Sequence, residues 1–283
     1  MTTHETDHCC APAGGEGSAA GADPDKVDHH IPERYADFAR TVLGDGTAAA
    51  TGCAADGERT CGRHYDADEL AGLPESLADT SLGSGHPVAA ADLQPGETVV
   101  DLGSGSGLDA VLAARAVGPQ GRVVGVDATE EMIALATRHV AEAGATNVSL
   151  EHASMETLPQ ATDSVDVVVS NCVINLSVDK PAVFAEIARV LRPGGRLVAS
   201  DLMADDALSP AERAERGAHA GCIAGALSFT EYRAGLAAAG LVDVDVEAQE
   251  AEQPDIYRAL VRARRPAEEG EASRASGGAP AEH

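Results

Sequence analysis

The chain has 283 residues, with 46 acidic against 20 basic side chains and a formal net charge of −26. So acidic a surface repels nucleic acid and anionic membranes, which need Lys/Arg neutralisation, and no apolar run approaches the ~18 residues needed to span a bilayer. The polar start lacks the basic region and apolar core of a signal peptide, so a cytoplasmic location is expected.

Residues 1–30 are rich in Gly, Ala, Asp and His and read as a disordered tail. Cys9-Cys10, beside His4 and His8, reads there as an incidental or scavenging thiol pair. An N-terminal extension over 31–95 opens with a short amphipathic helix, in which Tyr35, Phe38, Ala39 and Val42 fall at helical spacing between Ile31 and Leu43. Residues 47–62 read as a loop carrying Cys53 and Cys61, and short helical starts follow at Asp66–Leu70 and Pro74–Leu77.

From Gly96 the pattern alternates strand and helix. Strands are expected at Thr98–Leu102, Arg122–Val126, Val148–His152, Val165–Ser170 and Arg196–Asp201, with a final pair at Val242–Val246 and Ile256–Ala263. Helices are expected at Leu108–Val117, Glu130–Gly144, Pro181–Leu191, Pro210–Cys222 and Thr230–Ala239. Near-continuous apolar strands alternating with helices argue a parallel sheet covered on both faces, hence a doubly wound, Rossmann-like α/β domain over 96–265. Residues 266–283 repeat the composition of the start and read as a second disordered tail.

Gly103, Gly105 and Gly107 follow the first strand and precede the first helix of that domain. Glycines there let backbone approach a ligand and present amides at a helix N-terminus. The spacing is G-x-G-x-G, one residue short of the dinucleotide fingerprint. Asp127 closes the second strand about 20 residues on, where an acid binds ribose hydroxyls; capping of the next helix is the competing role. Met132 and Met155 are candidate apolar neighbours of an adenine, and Ser154 and Glu156 candidate partners of its polar edge.

Asp101–Gly107, Asp127, the Leu158-Pro159 turn and Leu191-Arg192-Pro193-Gly194-Gly195 resemble the seven-stranded S-adenosylmethionine-dependent methyltransferases. The resemblance runs from about Pro74 to Val246 and implies a mostly parallel seven-stranded sheet with one antiparallel strand near its end. It implies that Gly103, Gly105 and Asp127 hold the methyl donor; Asp101, Ser104, Ala128 and Asn171 are further candidates for the same site. Within that superfamily, Ser170-Asn171-Cys172-Val173-Ile174-Asn175-Leu176-Ser177 with Asp179-Lys180 is similar to the arsenite methyltransferases. So are Ala220-Gly221-Cys222-Ile223-Ala224-Gly225-Ala226-Leu227, the stretch from Tyr65 to Glu75, and Ser81-Leu82-Gly83.

The chemistry agrees. Six cysteines in a reducing compartment suit metal or chemical roles better than a disulfide frame, and their spacing fits no zinc signature. Trivalent arsenic is soft and prefers thiolate ligands. Cys172 alone reads as a buried small hydrophobe, and Cys222 alone as part of a packing helix; together, beside a donor site, they read as arsenic ligands within an insertion over 202–227. One departure stands out: Ser84 in Leu82-Gly83-Ser84-Gly85 occupies the place of a cysteine in the family's thiol relay. Cys61, Cys53 or an external thiol then has to serve. The resemblance implies methylation of an arsenite–thiol substrate for arsenic detoxification, with glutathione or thioredoxin as thiol co-substrate. Methylation of a small organic acceptor such as a quinone, and thiol-based arsenic binding without catalysis, are the alternatives. The two lysines, Lys26 and Lys180, against 46 acids also suggest adaptation to a salt-rich interior.

Overall fold

The computed structural model describes residues 24–45, 64–216 and 222–267. Four helices come first: α1 (Pro24–Asp45), α2 (Ala67–Leu70), α3 (Glu75–Asp79) and α4 (Pro87–Ala90). The alternating region follows as β1 (Thr98–Leu102), α5 (Leu108–Val117), β2 (Arg122–Asp127), α6 (Glu130–Glu142) and β3 (Val148–His152). It continues with β4 (Val165–Asn171), α7 (Lys180–Val190), β5 (Leu191–Ala204), α8 (Pro210–Arg216) and α9 (Phe229–Ala238), and ends in β6 (Val242–Gln253) and β7 (Ile256–Arg264).

The seven strands form one sheet in the order β3-β2-β1-β4-β5-β7-β6. β7 runs antiparallel to both its neighbours, and the other pairings are parallel. Side chains alternate across each strand, so Val99 packs toward α5 while Val100 and Leu102 pack toward α7 and α9. Burial on both faces is why β1 and β4 read as almost unbroken apolar runs. The doubly wound seven-stranded fold is as expected. Among the described residues no helix is long and apolar enough to cross a membrane.

Several boundaries differ from expectation: β5 starts earlier, at Leu191, β6 runs on to Gln253, and three further differences bear on the site. α1 starts at Pro24, inside the stretch 1–30 read as a tail, and carries Pro32 within it. An internal proline argues against a helix locally, but Ala39 and Val42 pack against Met132 and Leu135 of α6, and Arg40 Nε donates to Glu131 at 3.0 Å. Tertiary packing outweighs the local signal. Second, β5 continues to Ala204 because β7 pairs with it as far as Ala204↔Ile256, so residues 202–204 belong to the sheet and not to an insertion. Third, α8 ends at Arg216, and Cys222 lies in a turn with φ +62°, not in a helix. Cys9, Cys10, Cys53, Cys61 and residues 268–283 lie outside the described residues.

Candidate active site

The C-terminal ends of β1, β2 and β4 open onto a cavity of about 360 Å³, the place where open α/β sheets bind ligands. Its floor is the glycine loop. Gly103 and Ser104 both donate to the Val126 carbonyl, at 2.8 and 2.9 Å, which ties the loop to β2. Gly103 has φ +71°, and a Cβ there would come within 2.5 Å of the Val173 side chain. Only glycine meets both conditions.

Asp127 accepts from Gly105 N at 3.0 Å through Oδ2 and from Thr129 N at 2.9 Å through Oδ1. Both roles read for it are therefore compatible with its position: it steadies the start of α6 and it lines the cavity. Burial pushes its carboxyl above the usual range. Ala128, Met132, Met155 and Glu156 also line the cavity. Glu156 accepts from the Ser154 and Ser177 hydroxyls, which fixes its carboxylate at the rim.

Asp101 and Ser104 are buried against the loop, and Asp101 Oδ2 and Ser104 Oγ have no hydrogen-bond partner. Orphaned buried polar atoms are costly unless a ligand satisfies them. A polar, amino-acid-bearing ligand such as S-adenosylmethionine fits this floor. Burial, then the nearby Asp109 and Asp127, push the Asp101 carboxyl well up.

Asn171 does more than line the cavity. Its Oδ1 accepts from Ser84 N and Gly85 N at 2.9 and 3.2 Å, and its Nδ2 donates to Gly85 O at 2.8 Å and Asp109 Oδ2 at 2.9 Å. Tyr65 Oη donates to Asp109 at 3.0 Å. One amide thus clamps the 83–85 segment and a buried carboxylate to the end of β4. Gly85 is needed for this approach, since a Cβ there would meet Ser200 Oγ at 2.0 Å. Sequence reading missed Asp109 as a partner. The only signal was an acid in the first turn of α5, which reads equally as a helix-dipole residue.

One thiol residue lies at the edge of the same cavity, and the second is bonded to it. Cys172 lines the cavity, directly after β4 and with φ +59°. Its N–H donates to Ser200 O at 2.8 Å, and the Cys222 thiol donates to Cys172 O at 3.0 Å. Both cysteines are reduced and buried. Left-handed backbone at a non-glycine residue costs of order 1–3 kcal/mol and clusters at functional sites. Here it occurs at both thiols, 50 positions apart in sequence.

The surrounding network holds them there. Asn175 Nδ2 donates to Asp201 Oδ1 at 2.8 Å and to Leu202 O at 2.6 Å, and Leu227 N donates to Asn175 Oδ1. Buried Arg213 donates to Ala226 O at 2.9 Å and pairs with Glu231, so α8 fastens the segment after Cys222. Ser84 is buried with its hydroxyl unpartnered.

Residues 93–262 match the family described as Methyltransferase domain. The chain is 40% identical to an arsenite methyltransferase of Halobacterium salinarum, over 82% of this chain and 61% of that one. It is 44% identical to an arsenite methyltransferase of Aquipseudomonas alcaligenes, over 52% of this chain and 45% of that one. A crystal structure of an arsenic(III) S-adenosylmethionine methyltransferase from Chlamydomonas reinhardtii superposes with a TM-score of 0.60 at 31% identity, over 72% of this chain and 73% of that one. The chain belongs to the arsenite methyltransferase family. It spans less than two thirds of the two curated relatives' lengths. A methyltransferase fold accounts for the sheet order and the glycine loop alike.

Proposed function

We propose that this protein methylates trivalent arsenic held as a thiolate by Cys172 and Cys222. The observation that carries the reading is that Cys172, on the wall of the donor cavity, is joined to Cys222 by a hydrogen bond from that thiol. The names of the relatives support it. Two sulfurs suit arsenic's softness, and each thiol proton leaves with a hydroxide or thiolate displaced from the arsenic.

S-Adenosylmethionine, when bound, supplies an electrophilic sulfonium methyl, and arsenic's lone pair is a nucleophile that needs no general base. Asp101, Ser104 and Asp127 are the groups that would hold and orient the donor, with Gly103 and Gly105 letting the loop backbone lie close against it. Cys172 and Cys222 fix the arsenic, so that catalysis is largely alignment of reacting atoms ~3–3.5 Å apart. Asn171 keeps the 83–85 segment seated over the loop. Ser84 offers a hard oxygen in place of a third sulfur, so a third thiol comes from Cys61, Cys53 or an external thiol. Methyl transfer leaves arsenic pentavalent; two thiolates return it to the trivalent state as they join in a disulfide, and glutathione or thioredoxin reduces that disulfide.

The test is incubation of the full chain with arsenite, donor and either glutathione or thioredoxin, with a demethylated quinone acceptor in parallel. Methylated arsenic is expected in the first arm, with one S-adenosylhomocysteine formed per methyl group transferred. Methylated quinone would support the organic-acceptor reading, and tight arsenite binding without turnover would support a binding protein.

A further inference from the structure

The geometry points to a second ligand class for the thiol pair: a thiophilic divalent cation, zinc or cadmium, held by Cys172, Cys222 and Asp201. One sulfur of each cysteine and one carboxylate oxygen of Asp201 all lie within 4.8 Å of one another. In a tetrahedral zinc site, metal–sulfur distances near 2.3 Å and metal–oxygen distances near 2.1 Å place donors roughly 3.5–4 Å apart, so small side-chain rotations close the set.

Three observations point to a cation rather than to packing alone. Asp201 is 1% exposed and its Oδ2 has no hydrogen-bond partner, an arrangement that is costly unless something satisfies it. Its other oxygen is fixed, accepting from Asn175 Nδ2 at 2.8 Å and Leu202 N at 2.9 Å, so the carboxylate is oriented as a ligand group would be. Tyr232 is fully buried nearby with its hydroxyl also unpartnered. Two sulfurs and a carboxylate oxygen form a mixed set: arsenic makes use of the sulfurs, whereas borderline zinc accepts both sulfur and oxygen.

Charge balances as well. Binding converts two neutral thiols to thiolates, and any neutral Asp201 to its carboxylate, and releases those protons to solvent. The dication, two thiolates and one carboxylate then carry a net charge of −1. Lys180, half-buried with its Nζ on Ser177 O at 2.8 Å, interacts electrostatically with Asp201 and Cys222 and offsets it. With three protein ligands a fourth position stays open. A cation there occupies the thiols that arsenite needs, so the metal-loaded protein is a blocked form. Cation binding itself does not depend on arsenite being the substrate.

The test uses the full chain with Cys9, Cys10, Cys53 and Cys61 changed to Ser, leaving only the two site thiols. Cadmium titration should give one ion per chain with a thiolate-to-cadmium absorption band. Asp201→Asn, which keeps shape and leaves an amide where the oxygen was, should weaken that binding at least tenfold, with fold checked by donor binding. Zinc-edge X-ray absorption on the same chain with Asp201 intact should show two sulfur ligands and the remainder oxygen. No cadmium band, a zinc shell without sulfur, or undiminished cadmium affinity in a folded Asp201→Asn chain would each overturn the assignment.

Discussion

The Cys222 thiol donates to the carbonyl oxygen of Cys172 at 3.0 Å, so the two sulfur-bearing residues are joined before substrate arrives. Both sit in left-handed backbone, and that strain is offset by the pairing of β5 with β7 and by the Asn175 and Arg213 bonds around them. A pair preorganised in this way is suited to chelation, as the proposed function requires.

Loss of one attachment point should therefore cost far more than half the affinity. In the chain that keeps only Cys172 and Cys222, changing either to Ser is expected to weaken arsenite binding about 100-fold or more, the scale set by effective concentration. Equilibrium dialysis with arsenite reads this directly. Equal affinity for the parent and both Ser variants would mean that the pair does not chelate.

Asn171→Ala should destabilise the protein by about 1–3 kcal/mol, because it strands the Ser84 and Gly85 amides and removes a donor from buried Asp109. Donor affinity should fall with it, since Asn171, Gly83 and Asp109 all line the donor cavity. Urea unfolding and donor titration check the two effects separately. An unchanged unfolding midpoint would show that the clamp contributes nothing.

The glycine loop and Asp127 were legible because their chemistry is local: strand, turn and helix follow one another within about 30 residues. Cys172 and Cys222 were legible as separate motifs, but their backbone strain and mutual hydrogen bond depend on β5 running on to Ala204. Asp201 looked like an ordinary strand residue, because neither the Asn175 contact nor the thiols beside it are adjacent in sequence. The start of α1 was hidden for the opposite reason. Pro32 and an acidic, small-residue composition argue against a helix until the packing of Ala39 and Val42 on α6 is known.

Burial raises the Asp201 carboxyl from its ordinary value to about 7, with the Leu202 and Asn175 hydrogen bonds and Lys180 opposing. A folded-state value above the unfolded one means that the neutral acid is favoured by folding. That contribution is fully present below the ordinary value and is lost as pH rises toward about 7. Asp201→Asn has no such loss. Its Tm relative to the parent should therefore climb between about pH 4 and about pH 7 and level off above. A difference that stays flat across this window would place the titration elsewhere.

The charge of −26 predicts salt-dependent stability. Acids outnumber basic side chains 46 to 20, so pairs such as Arg196–Glu97 and Arg213–Glu231 leave like-charge repulsion that potassium chloride should relieve as the screening length contracts toward ~3 Å at about 1 M. The denaturation midpoint should rise steeply from low salt to molar salt. Equal stability at both would count against a chain suited to a salt-rich interior.

The decisive measurement is a single turnover: labelled methyl donor, arsenite and excess protein, followed by separation of the arsenic species. Label should appear on arsenic with the parent chain, and transfer should drop about 100-fold or more for Cys172→Ser and for Cys222→Ser, in line with the cost of misplaced reacting atoms. Labelled methylarsenic formed at an undiminished rate by either variant would contradict arsenic held between these two thiols.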